Sequence, residues 1–247
     1  MQTILVTGGT GYIGSHMSIL LLEKGYKVVV IDSFINSSSN VLNRIKDATK
    51  IDNNIFSNHF LFFEGDVRDQ DFLRMVFLKS IENGMRIDGV IHFAGLKSIS
   101  ESIRKPIKYW EFNVFGTISL LNIMKQFDCK TFIFSSSATI YGFKDRTKIS
   151  EEMTIKPINP YGNTKATVEN FLKDLYLEPK SMWKIANLRY FNPIGSHPSG
   201  LIGEYFSDNT RNIFPIINQV AIGKKKKLSI FGNDYSTKDG TGVRDYI

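Results

Sequence analysis

One cysteine, Cys129, stands in 247 residues. An intrachain disulfide is therefore excluded, and a reducing, cytoplasmic setting is expected. Histidine is nearly as scarce, with four in the chain. These residues are spread without metal-ligand spacing, so no metal site is expected. His16 and His92 lie near glycine turns and read as packing or hydrogen-bonding groups rather than catalytic ones. No apolar run reaches the ~18 residues of a membrane span. The opening Met1-Gln2-Thr3-Ile4-Leu5-Val6 lacks the basic region and cleavage site of a signal peptide. Acidic residues number 24 against 31 basic ones, a net charge of +7. That excess alone would admit a nucleic-acid partner. Much of it, however, is the single run Lys224-Lys225-Lys226-Lys227, between Gly223 and Leu228-Ser229-Ile230-Phe231. The run reads as a solvated turn between a helix and a strand, so neither nucleic acid nor a membrane is expected as a partner. With 42% hydrophobic and 22% charged residues, the chain can fill one large domain, or one domain plus part of another.

What is present begins with a short apolar run, Thr3 to Thr7, of the kind a buried parallel strand shows. Gly8-Gly9-Thr10-Gly11-Tyr12-Ile13-Gly14 follows at once. Ser15 to Lys24 then reads as a helix ended by Gly25, and Val28 to Ile31 as a second strand closed by Asp32. This strand–turn–helix–strand order is the context a dinucleotide fingerprint requires. Gly8, Gly11 and Gly14 permit a tight turn and let backbone amides approach a pyrophosphate at a helix N-terminus. Asp32 can accept bonds from both ribose hydroxyls and would repel a 2′-phosphate, so NAD is preferred to NADP.

Further strands are expected at Phe60–Phe63, Gly89–Phe93 and Thr131–Phe134, with helices near Val41–Ala48, Asp69–Lys79, Ile107–Phe127 and 161–177. The fold class is thus α/β, a Rossmann-type doubly wound parallel sheet over residues 1–187, with part of a smaller lobe at 188–247. Asn36-Ser37-Ser38-Ser39 either reaches the cofactor ribose or is a plain loop. Asp66, past the end of the third strand, is placed to accept from an adenine amino group. Small residues in Ala94-Gly95-Leu96-Lys97 let the chain pass close to a cofactor.

Tyr161 and Lys165 stand four residues apart, hence on one face of a helix. An ammonium beside a phenol favours the phenolate and makes it a usable proton acceptor. Ser137, at the end of the fifth strand, is placed to bond a substrate hydroxyl.

These residues, together with Leu188-Arg189-Tyr190-Phe191-Asn192-Pro193-Ile194-Gly195 and Asp239-Gly240-Thr241-Gly242-Val243-Arg244-Asp245-Tyr246-Ile247, resemble the extended short-chain dehydrogenase/reductase family. Within it they are most similar to the UDP-glucose 4-epimerases, also called UDP-galactose 4-epimerases. The resemblance covers essentially the whole chain. It implies interconversion of UDP-galactose and UDP-glucose with a retained NAD, by oxidation and re-reduction at sugar C4. Tyr161 would be the base, Ser137 would bond the same oxygen, and Lys165 would hold the nicotinamide ribose and keep the phenol acidic. Tyr12, Ile13, Asp32, Asn36, Asp66, Val67, Phe93, Lys97 and Phe191 fall at cofactor contacts. Asn192, Asn212, Ile213, Phe231 and Arg244 fall at contacts to the UDP-sugar, where an arginine fork suits a diphosphate. Dimeric relatives imply a homodimer, paired through the helices near 107–127 and 161–177.

Two departures from the family pattern stand out. Glu111-Phe112-Asn113 carries Phe112 where a polar residue is expected near the ligands. Family members also continue beyond the position of Ile247 by roughly another hundred residues. A working epimerase and a shortened NAD-binding relative with weak or no activity both remain open. Another nucleotide-sugar enzyme, such as a 4,6-dehydratase, fits less well, because Ala138-Thr139 stands where dehydratases place an acid pair.

Overall fold

The computed structural model describes residues 1–142, 148–180, 182–204, 212–230 and 232–247. Its centre is a six-stranded, all-parallel sheet of β1 (Thr3–Thr7), β2 (Lys27–Asp32), β3 (Phe60–Glu64), β4 (Ile87–His92), β5 (Thr131–Ser137) and β6 (Lys184–Tyr190). The order is β3-β2-β1-β4-β5-β6. The chain therefore reverses direction of travel across the sheet between β1 and β4, and a doubly wound sheet opens a ligand crevice at that switch.

Side chains alternate across a strand, and the core divides accordingly. Leu5, Val29 and Ile31 face one cluster, with Leu73, Leu120, Phe132, Val168 and Leu172. Val6, Val28 and Val30 face the other, with Ile19, Ile45 and Phe56. On the first face lie α4 (Gln70–Glu82), α7 (Gly116–Gln126) and α8 (Pro160–Leu177). On the second lie α1 (Tyr12–Glu23), α2 (Asn40–Thr49) and α3 (Asn53–His59). Helix α8 starts sharply: Pro160 occupies its first turn, and the Asn159 side chain caps it by accepting from Gly162 N at 2.8 Å.

Three elements depart from the sequence reading. The helix expected over 107–127 is present without interruption from 106 to 126, but it is not α-helical throughout. It runs as α6 (Pro106–Trp110), a π-helical turn (Glu111–Phe115) and then α7, and α5 (Ile99–Arg104) precedes it. The wide turn has a cause in its side chains: Asn113 is buried and bonds inward, and one extra residue per turn accommodates it. Second, α3 arises from the polar Asn53–His59, where Asp52 caps by accepting from Asn54 N at 2.8 Å. Third, residues 228–230 form no strand, because they pair with no ladder among the described residues, and Phe231 lies outside those residues. Lys224 to Lys227 are exposed after α9 (Ile213–Ala221), as a solvated turn would be. Among the described residues, no helix is long and apolar enough to cross a membrane.

Candidate active site

The turn after β1 is built by close approach. Gly8 has φ +66°, and a Cβ there would lie 2.7 Å from Ala94 N, at the exit of β4. A Cβ on Gly14 would lie 2.2 Å from the Gly8 carbonyl oxygen, and one on Gly11 3.1 Å from the same atom. The turn is thereby folded back onto itself and onto the exit of β4, and at Gly8, Gly11 and Gly14 only backbone faces these contacts. Tyr12 donates to Gly195 O at 2.7 Å, which joins the cradle to the segment after β6.

Asp32 closes β2. Its Oδ2 accepts from Thr10 N at 3.1 Å, and its Oδ1 accepts from Phe34 N and Ser37 Oγ, both at 3.0 Å. Ser37 also bonds Thr10 Oγ1 at 2.8 Å. So Ser37 binds the carboxylate, while its neighbour Asn36 is exposed. A cradle too tight for side chains, beside an acid held at the strand end, fits a dinucleotide that carries a free 2′-hydroxyl.

Asp66 is gripped by Arg68, with Nε at 3.0 and 3.1 Å from its two oxygens and Nη2 at 2.7 Å. Burial pushes its pKa up, but the bonds from Arg68 outweigh that and hold it below the usual range. Arg68 N also donates to Oδ1 at 2.9 Å, so Arg68 occupies about all four acceptor sites of the carboxylate, and an incoming amino group would have to share or displace one of these bonds. Arg68 in turn lies over the Phe112 ring, 3.6 Å from its centroid. This accounts for the apolar residue at 112: it faces the guanidinium as a cation–π partner. Val67 is buried in the core against Gly116 rather than exposed toward a groove.

His92 and the chain after it form a directional hydrogen-bond relay. Thr117 Oγ1 donates to Asn113 O at 2.6 Å, so it accepts from His92 Nε2 at 3.0 Å. His92 Nδ1 then accepts from Thr7 Oγ1 at 2.7 Å, whose oxygen accepts from Ala94 N at 3.3 Å. Burial first, and Lys165 second, lower the His92 pKa to about 3, so the ring is neutral. Asn113 completes the support: Oδ1 accepts from Leu96 N at 2.8 Å, and Nδ2 donates to Leu96 O and Thr164 Oγ1, each at 3.1 Å. Phe93, Ala94 and Gly95 are thus fixed from both sides. Lys97 turns outward to Glu204 at 2.9 Å, and Asn212 Nδ2 bonds the same carboxylate oxygen at 2.6 Å.

Ser137 is buried at the exit of β5, where Thr139 donates to its oxygen from N at 3.3 Å and Oγ1 at 3.0 Å. It also stands beside the Tyr161 phenol, whose pKa it lowers. Lys165 Nζ donates to Ser135 O at 2.8 Å and lies 5.9 Å from the Tyr161 ring centroid. Here the expectation of an acidified phenol needs correction. Burial raises the Tyr161 pKa, Ser137 lowers it less, and the ammonium is aimed at a carbonyl rather than at the phenol. Burial also brings Lys165 down to about 8, which leaves it charged at neutral pH.

The remaining predicted residues gather less tightly. Asn192 Nδ2 donates to Asp245 O at 2.9 Å, and Asn192 bridges Tyr246 through the backbone. Phe191 lies beside it, half-buried, and Ile213 opens α9 with 41% exposure. Arg244 is exposed and donates to its neighbour's carbonyl, Val243 O, at 2.7 Å. Among the described residues, no three His, Cys, Asp or Glu cluster as a metal would need.

Comparison with known proteins bears on this geometry. A family model described as GDP-mannose 4,6 dehydratase matches residues 5–247. A UDP-glucose 4-epimerase of Cyamopsis tetragonoloba is 46% identical over 246 residues, covering 100% of this chain and 67% of that protein. The Bacillus subtilis UDP-glucose 4-epimerase is 47% identical over 246 residues, covering 100% and 69%. The chain belongs to the UDP-glucose 4-epimerase family. The crystal structure of the Bifidobacterium longum UDP-glucose 4-epimerase with NAD+ and UDP superposes with a TM-score of 0.89 at 42% identity, over 100% of this chain and 70% of that one. The chain therefore spans about two thirds of the length of the epimerases it matches. Phe112 is where this family member departs from the expected polar residue, and its ring is engaged by Arg68.

Several supporting residues escaped the sequence reading. Thr10, Thr117, Glu204 and the pair Glu169–Arg189 carry no motif of their own. Thr10 lies within the glycine-rich turn and Arg189 within Leu188–Gly195, while for Glu169 the one local signal is its spacing from Lys165, a further turn of helix.

Proposed function

We propose that this chain carries the cofactor half and part of the sugar-nucleotide half of an enzyme that interconverts UDP-galactose and UDP-glucose at sugar C4. The observation that carries the reading is the Ser137–Tyr161–Lys165 constellation, with Ser137 and Lys165 buried and Tyr161 partly so, beside a glycine-rich turn that leads to Asp32. NAD, when bound, supplies the hydride acceptor and donor together with a positively charged ring. Every other part of the mechanism belongs to the chain. Asp32 would hold the adenosine ribose, in exchange for its bonds to Ser37 and Phe34. Lys165 keeps N–H groups beyond the one given to Ser135 O, and these would hold the nicotinamide ribose. Ser137 and Tyr161 would both meet the sugar 4-oxygen. Tyr161 would take its proton as the ketone forms and return it as the epimer forms. A partly buried phenol with a raised pKa needs a nearby cation to do this near neutrality, and the charged cofactor ring would offer it.

Residues 1–187 are proposed as the NAD-binding domain and 188–247 as part of the substrate lobe, with Asn192, Asn212, Ile213, Phe231 and Arg244 toward the UDP-sugar. Homodimerisation is proposed through the α6–α8 face, where Ile107, Trp110 and Phe171 are exposed apolar groups. A cytoplasmic setting is proposed from the single buried cysteine. The test is a coupled assay for UDP-glucose formation from UDP-galactose. Turnover by folded, NAD-loaded protein supports the reading, and its absence in such protein refutes it for this chain.

A further inference from the structure

Glu169 is a buried carboxylate that the chemistry above leaves unused. It follows Tyr161 and Lys165 on α8 at one-turn intervals, so the three share a helix face. Its partners come from two strands. Ser136 and Arg189 are register partners across the parallel β5–β6 ladder, and ladder partners project to the same side of a sheet. Ser136 Oγ donates to Glu169 Oε1. Arg189 engages both carboxylate oxygens, Nε at 3.1 and 3.2 Å and Nη2 at 2.7 Å. Its Nη1 donates to Tyr141 Oη at 2.7 Å and to Glu151 O at 2.8 Å.

Buried ion pairs carry a desolvation cost, so stability alone is a weak reason for one to be there. Its neighbours suggest another. Ser136 immediately precedes Ser137, and Arg189 stands two residues before Phe191 and three before Asn192. Two of three successive serines are bonded to α8, Ser135 O by Lys165 and Ser136 by Glu169, and the third, Ser137, stands beside the Tyr161 phenol. Of these, the Ser136–Glu169 bond alone involves no group assigned to the reaction.

We propose that Glu169, clamped by Ser136 and Arg189, is a positioning residue that fixes α8 against the exits of β5 and β6 and so sets the contact between Ser137 and Tyr161. The proposal rests on the C4-epimerase reading. Neutralising Glu169 strands the guanidinium and threatens folding, so the primary variant is Ser136→Ala, which removes one hydroxyl and leaves the ion pair. Glu169→Gln is the second. In the NAD-loaded enzyme, Ser136→Ala is expected to lower kcat roughly tenfold while KM for UDP-galactose stays within about twofold. Hydrogen exchange is expected to quicken in 135–141, with exchange in β1 and β2 and NAD affinity by calorimetry unchanged. Wild-type kcat together with wild-type exchange in Ser136→Ala and in folded Glu169→Gln overturns the proposal. So does exchange that quickens evenly through the sheet, which marks a merely structural bond. An inactive wild-type chain would sink the epimerase reading instead, and the exchange pattern would then decide the clamp alone.

Discussion

Asp32, Asn113 and Glu169 lie in the part of the chain that builds the sheet, and each is held by at least two other residues. Arg244 and Asn212, from the stretch after Tyr190, are held differently. Arg244 folds back onto the adjacent carbonyl, and Asn212 meets the single carboxylate of Glu204, both by bonds open to solvent. Buried bonds are costly to leave unmade, whereas exposed ones exchange for water at little cost. The contrast teaches that the side chains supporting the sheet-side site are set in place by the fold, while the groups proposed to recognise the nucleotide are free to rearrange around it. Only Ile202, buried with Val6 and Ile19, anchors the later stretch deeply among its described residues before α9.

The sharpest way to break this comparison is Tyr161→Phe. It deletes one hydroxyl of the preorganised region and is expected to lower kcat by roughly 10²–10⁴, with UDP binding by calorimetry retained. A variant that keeps most of its turnover would show that the fixed region does not hold the base. Next is Gly14→Ala. Its Cβ meets the Gly8 carbonyl oxygen at 2.2 Å, a backbone atom that cannot turn aside. A loss of stability of about 1–3 kcal/mol, read by urea unfolding, is expected together with weaker NAD binding. Normal NAD affinity in this variant would mean that the cradle is not the cofactor turn.

Arg244→Ala probes the other side of the comparison. Binding of UDP is expected to weaken roughly tenfold, as loss of a charge-assisted bond would give, with the melting temperature and NAD affinity unchanged. A drop in melting temperature would instead make Arg244 part of the packed structure. The smallest effect at neutral pH belongs to His92→Gln, which keeps one acceptor and one donor in the relay. The folded-state pKa of His92 is lowered from 6.5 to about 3. Between those values the unfolded chain binds a proton that the native one does not, so wild-type stability falls as pH drops from 6.5 toward 3. The variant should lose this contribution, making the acid slope shallower by up to about 1.4 kcal/mol per pH unit. Identical slopes in urea titrations at several pH values would rule out His92 as a source.

Much of the sheet could be read before any coordinates. Val28 to Ile31 and Phe60 to Phe63 are apolar runs bounded by polar residues, and both fall in strands. The helix around Tyr161 is announced by Asn159-Pro160, a cap followed by a proline that only a first turn tolerates. The π-helical turn at 111–115 is not legible in the sequence, because it goes with a set of bonds from Asn113 to Leu96 and Thr164, residues 17 and 51 positions away. The direction of the Tyr161 pKa is not legible in the sequence for a related reason. Four-residue spacing tells that two side chains share a face, but burial and the carbonyl of Ser135 set where the ammonium points.

Local sequence was enough to specify the glycine turn, the acid that closes β2 and the shared face of Tyr161 and Lys165, since each depends on neighbours within a turn or a strand. The neutrality and tautomer of His92, the pairing of Phe112 with Arg68 and the clamp on Glu169 were settled only by folding. Their partners are distant in the chain, and their energies depend on how much water the assembled layers exclude.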